Sequence, residues 1–198
     1  MSTPILIGGF AFLILLALFG TDAKAAPATS SPGATTKTPT GEKVLKSPLA
    51  GVSDSQWTAF VRAMASAPFS FESPKNFFGA FLFGIRRLAD LGFVKNPRKN
   101  GNLWVADWVK PKEVFLSSPS VQYEALGKST KAYAAIISRT YSGKIGTMVD
   151  GKKVTLSGLL GAAHAAGSQG LGTWLSAPTR RAKYPHVTAL FEKTTGIF

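Results

Sequence analysis

The sequence predicts a mainly α-helical domain with at most a small β-hairpin, preceded by a single N-terminal transmembrane helix. Three observations lead there. An uncharged apolar run, Ile5 to Phe19, opens the chain and is followed by a segment rich in Ala, Pro, Thr and Ser. Beyond about residue 47 apolar side chains recur at helical spacing. Between helical stretches, a single Asp-Gly pair flanked by short β-type segments suggests a hairpin.

The N-terminal run is at the short end of what spans a bilayer as a helix. A cleaved leader is the competing reading, because Ala23-Lys24-Ala25 offers a small-residue cleavage site before Ala26. The absence of Lys or Arg ahead of the run argues against cleavage, and a buried core helix would have nothing to pack on. We therefore divide the chain into an anchor (1–22), a flexible linker (23–45) and a globular domain (46–198). A linker of this kind reaches about 80 Å fully stretched at roughly 3.3 Å per residue, and about 25–30 Å as a coil.

Ser53-Asp54-Ser55-Gln56 has the form of a capping box, and Trp57, Phe60, Val61 and Met64 follow it on one helical face up to Pro68. A loop leads to Asn76–Gly84, then to a helix carrying Ile85, Leu88 and Leu91 that stops at Gly92. Residues 93–112 read as irregular, with Asn96-Pro97, Asn100-Gly101 and Lys110-Pro111 as turn signals. Ser118 and Pro119 mark the start of a helix with the stripe Val121, Ala125, Ala132, Tyr133, Ile136, Ile137 and Tyr141. Asp150-Gly151 turns the predicted hairpin between 146–149 and 152–154. Thr155 then caps a small-residue helix from Leu156 to Ala166 that Gly167 ends, and one or two short helices close the chain.

Composition removes several chemistries. The chain of 198 residues has no cysteine, which excludes disulfides, thiolate metal sites and cysteine nucleophiles. Two histidines, His164 and His186, argue against a histidine-built metal centre, and no cofactor is expected. A net charge of +13 draws the protein to polyanions: nucleic acid, anionic lipid or acidic wall polymer. The doublets Arg86-Arg87, Arg98-Lys99, Lys152-Lys153 and Arg180-Arg181 spread that charge along the domain. No motif of sequence-specific nucleic-acid recognition is present, so such contact would be nonspecific.

Three blocks carry a resemblance. Gly158-Leu159-Leu160-Gly161-Ala162-Ala163-His164 is similar to the ITxSGLLAAAHxGG segment of phage and bacterial lysozyme-like proteins related to lytic transglycosylases. Upstream, FFGAFLFGIRRLADLGFV resembles the same family's GYxGxYQFGxxxLxDLGY, matching at Gly79, Phe83, Gly84, Leu88, Asp90, Leu91 and Gly92. Between them, Trp104, Asp107, Phe115–Pro119, Val121-Gln122, Ala125 and Leu126 resemble a WxxD…FLxNPxVQExAL stretch. The blocks follow the family order and cover roughly 54–170.

The resemblance implies a lysozyme-like helical domain with a sugar cleft worked by one Glu at the end of the first domain helix. An ungapped alignment puts Met64 at that position, and a thioether transfers no proton. Phe81 and Leu82 replace the Tyr and Gln of YQFG. Glu72, in the loop beyond Pro68 between Phe71 and Ser73, is the substitute acid. Phe81, Leu82 and His164 are the candidate substrate-binding residues, although His164 fits better as a hydrogen-bonded core residue. Asp54, Asp90 and Asp107 read as a cap, a helix-face residue and a turn residue.

The sequence therefore points to a membrane-anchored, catalytically degenerate lysozyme-like module. It would bind peptidoglycan or another anionic polymer as a structural part of a phage particle or cell-envelope assembly, beside other virion or envelope proteins. The alternatives are an active muramidase or transglycosylase using Glu72, and a basic virion or membrane protein touching nucleic acid or lipid. The positive-inside rule would keep the basic domain internal. It weakens for long domains, and wall binding puts the domain in the periplasm or on the virion membrane.

Overall fold

A computed structural model describes residues 44–101 and 103–198. Both the apolar run Ile5–Phe19 and the linker up to residue 43 lie outside the described residues. Among the described residues no helix is long and apolar enough to cross a membrane. They fall in one compact unit, Glu42–Phe198.

This unit is mainly helical. Helix α1 (Asp54–Met64) begins at the expected capping box: Gln56 N–H donates to Ser53 Oγ at 3.2 Å, and Ser53 N–H donates to Gln56 Oε1 at 3.0 Å. Satisfying two otherwise orphaned donors in this way typically adds about 1 kcal/mol. The short strands β1 (Phe77–Phe78) and β2 (Phe83–Gly84) pair antiparallel and lead into α2 (Ile85–Asp90). Strands β3 (Val94–Asn100) and β4 (Leu103–Trp108) follow, then α3 (Lys112–Ser117) and α4 (Pro119–Thr140). A single 3-10 turn, Ser142–Lys144, precedes β5 (Met148–Val149) and β6 (Lys152–Lys153). The chain closes with α5 (Leu156–Ser176), α6 (Pro178–Arg181) and α7 (Pro185–Thr194).

Two expectations need correction. The described residues hold three two-stranded antiparallel sheets, not one small hairpin at most. Residues 93–112 are also not irregular: most of them form β3 and β4, with Asn100 opposite Leu103 and Gly101 at φ +59° opening the turn. Pro97 has no N–H for a ladder, and the register shifts between Lys95 and Arg98 to let it pass, with Asn96 at φ +51°. Beyond the shift, Trp104 and Trp108 alternate with exposed Leu103 and Asp107. Trp108 packs against Phe78 and Phe115 with ring centroids 5.2 and 5.7 Å apart. On α4, Ala132 of the predicted stripe is exposed, and Thr130 and Ser129 are buried instead.

Helix α5 occupies the centre, packed against both α4 and α7. Seven consecutive residues from Ser157 to Ala163 are buried, so it is covered on every side. Its small residues permit this. A Cβ on Gly161 would lie 2.3 Å from Thr194 Oγ1 and 2.9 Å from the Leu190 carbonyl, so α7 approaches closer than an alanine allows. The helix breaks where the sequence ends it: Gly167 takes φ +72° and ψ +171°, a conformation largely reserved for glycine. Below the break Trp174 is fully buried and donates its indole N–H to Thr188 Oγ1 at 3.0 Å.

Candidate functional site

Three of the four predicted site residues, Phe81, Leu82 and His164, meet at the turn between β1 and β2, and Glu72 does not. The C-terminus of α1 reaches it through the Ala80 carbonyl, which accepts from Ser66 N–H at 2.8 Å and Ala67 N–H at 3.2 Å. From α4, the fully buried Gln122 side chain reaches it too. Gln122 Oε1 accepts from Ala80 N–H at 2.8 Å, and its Nε2 donates to the carbonyls of Phe69 and Phe115 at 2.8 and 2.9 Å. One amide thereby ties together the β1–β2 turn, the loop at Phe69 and helix α3. Gly79 is obligatory beside it, since a Cβ there would sit 2.2 Å from Gln122 Oε1.

His164 supports the same turn from α5. Its Nε2 lies 2.6 Å from the Phe81 carbonyl, which can only accept, so Nε2 carries the proton. Burial is the main reason its pKa falls below the ordinary histidine value. The Phe81 hydrogen bond opposes that shift and the Arg87 charge adds to it. The imidazole is therefore neutral at pH 7, and its ring stands edge-on to Phe83 at 5.2 Å. Held between Gln122 and His164, Leu82 adopts φ +52°, a left-handed conformation that costs a non-glycine residue roughly 1–2 kcal/mol.

Met64, Phe81, Leu82 and His164 are thus brought to one place, and Glu72 is not among them. Met64 is 1% exposed and Phe81 2% exposed, the latter ringed by Phe69, Phe83 and Tyr123. Leu82 and His164 are half-buried. Glu72 is exposed, bridging by backbone to Phe78, and its carboxylate meets Lys112 Nζ at 2.8 Å. At the end of α1, where the resemblance calls for an acid, a base arrives: Lys193 Nζ donates to the Ala65 carbonyl at 3.1 Å. A cation complements the negative end of the α1 dipole there, while desolvation lowers the lysine pKa. Asp54, Asp90 and Asp107 are exposed, and their partners are Ser47 N–H, Arg87 and Asn96.

The basic doublets divide their labour. Arg87 turns inward, donating from Nε to Ser129 Oγ at 3.0 Å with its guanidinium 4.2 Å from the centre of the Tyr133 ring. Arg181 does likewise, forking onto Asp150 at 2.7 and 2.8 Å and holding that carboxyl below the usual range. Their neighbours Arg86 and Arg180 stay exposed, as do both members of Arg98-Lys99 and Lys152-Lys153. Arg86 and Lys99 also approach the Trp104 ring, at 5.2 and 5.8 Å. His186 is exposed, edge-on to Tyr184. Among the described residues no group of His, Asp or Glu is placed to hold a metal ion.

Gln122 and Lys193 were not singled out by the sequence as site residues. Gln122 had a signal: it is the polar residue beside Val121 at the head of an apolar helix stripe. Lys193 had none. Comparison with protein-family models, with curated proteins and with solved structures finds no match for this chain.

Proposed function

We propose that this chain is a membrane-anchored module whose lysozyme-like domain binds peptidoglycan or a similar anionic polymer without cleaving it. It would serve as a structural component of a phage particle or envelope assembly. The carrying observation is that every acidic side chain among the described residues is exposed. A glycosidic general acid needs a carboxyl raised in pKa by partial desolvation, within reach of the leaving oxygen.

The surroundings of α1 support the same reading. Met64 fills core at the position that the resemblance gives to the acid, with Lys193 capping the helix end beside it. The polar groups nearest the turn, Gln122 and His164, are committed to backbone atoms. Phe81, Leu82 and His164 then act by shaping the surface on which a glycan strand rests. Glu72 is the acid of the enzymatic alternative, and its carboxylate is exposed and held by Lys112 Nζ, away from the turn where Phe81, Leu82 and His164 meet.

A zymogram with sacculus pull-down tests the proposal. Wild type should leave the substrate layer intact while still co-sedimenting with sacculi, and Glu72→Gln should change neither result. Met64→Glu alone should restore little, because a carboxylate also needs a cleft and hydrogen-bond partners. Clearing by wild type that Glu72→Gln abolishes, with the circular dichroism unchanged, would make the protein an enzyme.

A further inference from the structure

We infer that the β5–β6 hairpin, together with α6, is a docking surface for an anionic lipid bilayer. Two of the most exposed apolar side chains among the described residues sit there: Met148 at 63% and Ile145 at 44%. Lys144 and Lys153 are exposed around them, and the exposed Lys152 is paired with Glu192 at 3.2 Å. Met148 lies opposite Lys153 in the antiparallel register, so an aliphatic and a cationic side chain share one face.

The exposure is built into the backbone. Gly146 N–H donates to the Val154 carbonyl and Val154 N–H to that of Thr147, each at 2.8 Å. Ile145 N–H donates to Ser142 O at 3.1 Å, and Thr147 Oγ1 to Lys144 O at 2.7 Å. Val149, at 9% exposure, roots the hairpin in the core. The apolar pair lies at the open end of the hairpin, opposite its Asp150-Gly151 turn, beside backbone groups that are already paired, so entering a headgroup layer costs it little.

Charge complementarity selects the occupant. The hairpin's one acid, Asp150, is neutralised by the buried Arg181 fork, so it does not repel anionic headgroups. That same pair ties the hairpin to α6, which contributes the exposed Arg180. Tyr184, 37% exposed just beyond α6, has the amphipathic ring favoured at a membrane interface. A soluble polyanion would use the lysines and gain nothing from Met148 and Ile145; a bilayer interface uses both. The β3–β4 hairpin also carries cations, Lys95 and Arg98, with one exposed aliphatic residue at its tip, Leu103.

The inference is independent of the polymer-binding reading and is tested without sacculi. Among the described residues the core forms one cluster, and Glu42–Phe198 is a compact unit of its own, so that segment is used alone. It should float with vesicles of equal phosphatidylglycerol and phosphatidylcholine, and not with phosphatidylcholine alone. Met148→Ser with Ile145→Ser, which leaves charge unchanged, should weaken flotation about tenfold. Lys144→Glu with Lys153→Glu should cost at least about fivefold per lysine, and more than the charge-matched pair Lys95→Glu with Arg98→Glu. Because the chain has no cysteine, Met148→Cys accepts a single polarity-sensitive dye, whose emission should shift to the blue on the anionic vesicles. The same dye at Lys131→Cys on α4 should not shift. The assignment falls if the anionic vesicles are not bound, or if the serine variant binds as wild type does. It also falls if the two charge-reversal pairs weaken binding alike, which would leave only the attraction of net charge.

Discussion

Gln122 and His164 hold the β1–β2 turn by hydrogen bonds to its backbone, and each makes a separate prediction. Removing the Gln122 amide strands Ala80 N–H and the carbonyls of Phe69 and Phe115, and an unsatisfied buried polar group costs about 1–3 kcal/mol. Gln122→Leu should therefore destabilise the domain by about 2–4 kcal/mol in urea unfolding; a loss below about 1 kcal/mol would mean the three segments hold themselves. His164 adds a pH dependence whose sign follows from its lowered pKa. Below the unfolded-state value of about 6.5 the unfolded chain takes up a proton that the folded imidazole refuses. Stability should fall as pH drops from about 6.5 towards the depressed folded-state value. Asp150, whose folded pKa is lowered, adds a loss only below the ordinary aspartate range. In His164→Gln the first slope should shrink to the part left by His186, whose pKa burial also lowers, and the second should remain, as measured by melting temperature against pH. An unchanged slope between pH 7 and 5 would assign it to other groups.

At the scale of elements, the closeness of α5 to α7 is the most sensitive contact. Gly161→Ala forces a methyl against Thr194 Oγ1 and the Leu190 backbone, and the backbone cannot swing aside as a flexible side chain can. Overpacking of this kind typically costs about 1–3 kcal/mol, although alanine favours the helix by up to about 1 kcal/mol. A net loss measured by denaturant midpoint is the expected outcome, and a gain would show that α7 moves away freely. That helix was legible in the sequence at both ends, because Thr155 and Gly167 each impose a local geometry on their own neighbours. The same holds for Ser53 before α1 and Pro119 at the start of α4. The β3–β4 hairpin was not legible: Asn96-Pro97 and Asn100-Gly101 are turn signals, yet the first became a bulge within a strand and only the second a hairpin turn. The alternation that would have betrayed it, Trp104, Ala106 and Trp108 on the inner face, is only three residues beside a charged stretch. At the site, the resemblance to lysozyme-like proteins pointed to Met64, Phe81, Leu82 and His164, which do lie together. It could not indicate that Gln122 and Lys193 arrive from distant helices, since only the fold brings those contacts about.

Over the whole molecule the governing quantity is charge. Glu42–Phe198 contains 21 basic and 9 acidic residues, and several of the acids are consumed locally. Glu72, Asp90, Glu124, Asp150 and Glu192 each pair with a lysine or arginine, so they blunt individual cations without offsetting the excess elsewhere. Those pairs are mostly solvent-exposed and contribute about 0–1 kcal/mol each to stability, so their role is in shaping the field more than in holding the fold. A domain so charged should meet a polyanion by many weak, exposed contacts, and such contacts are screened over about 8–10 Å near physiological ionic strength. Binding of Glu42–Phe198 to sacculi should therefore weaken steeply when salt is raised from 50 to 500 mM in a co-sedimentation assay, whereas the unfolding midpoint should barely move. Binding that stayed constant across that range would locate the affinity in shape and hydrogen bonding, and the surface near Leu82 and His164 would then be the place to look for a glycan groove. A fall in both binding and stability would instead mean that the ion pairs hold the fold together, against their exposure.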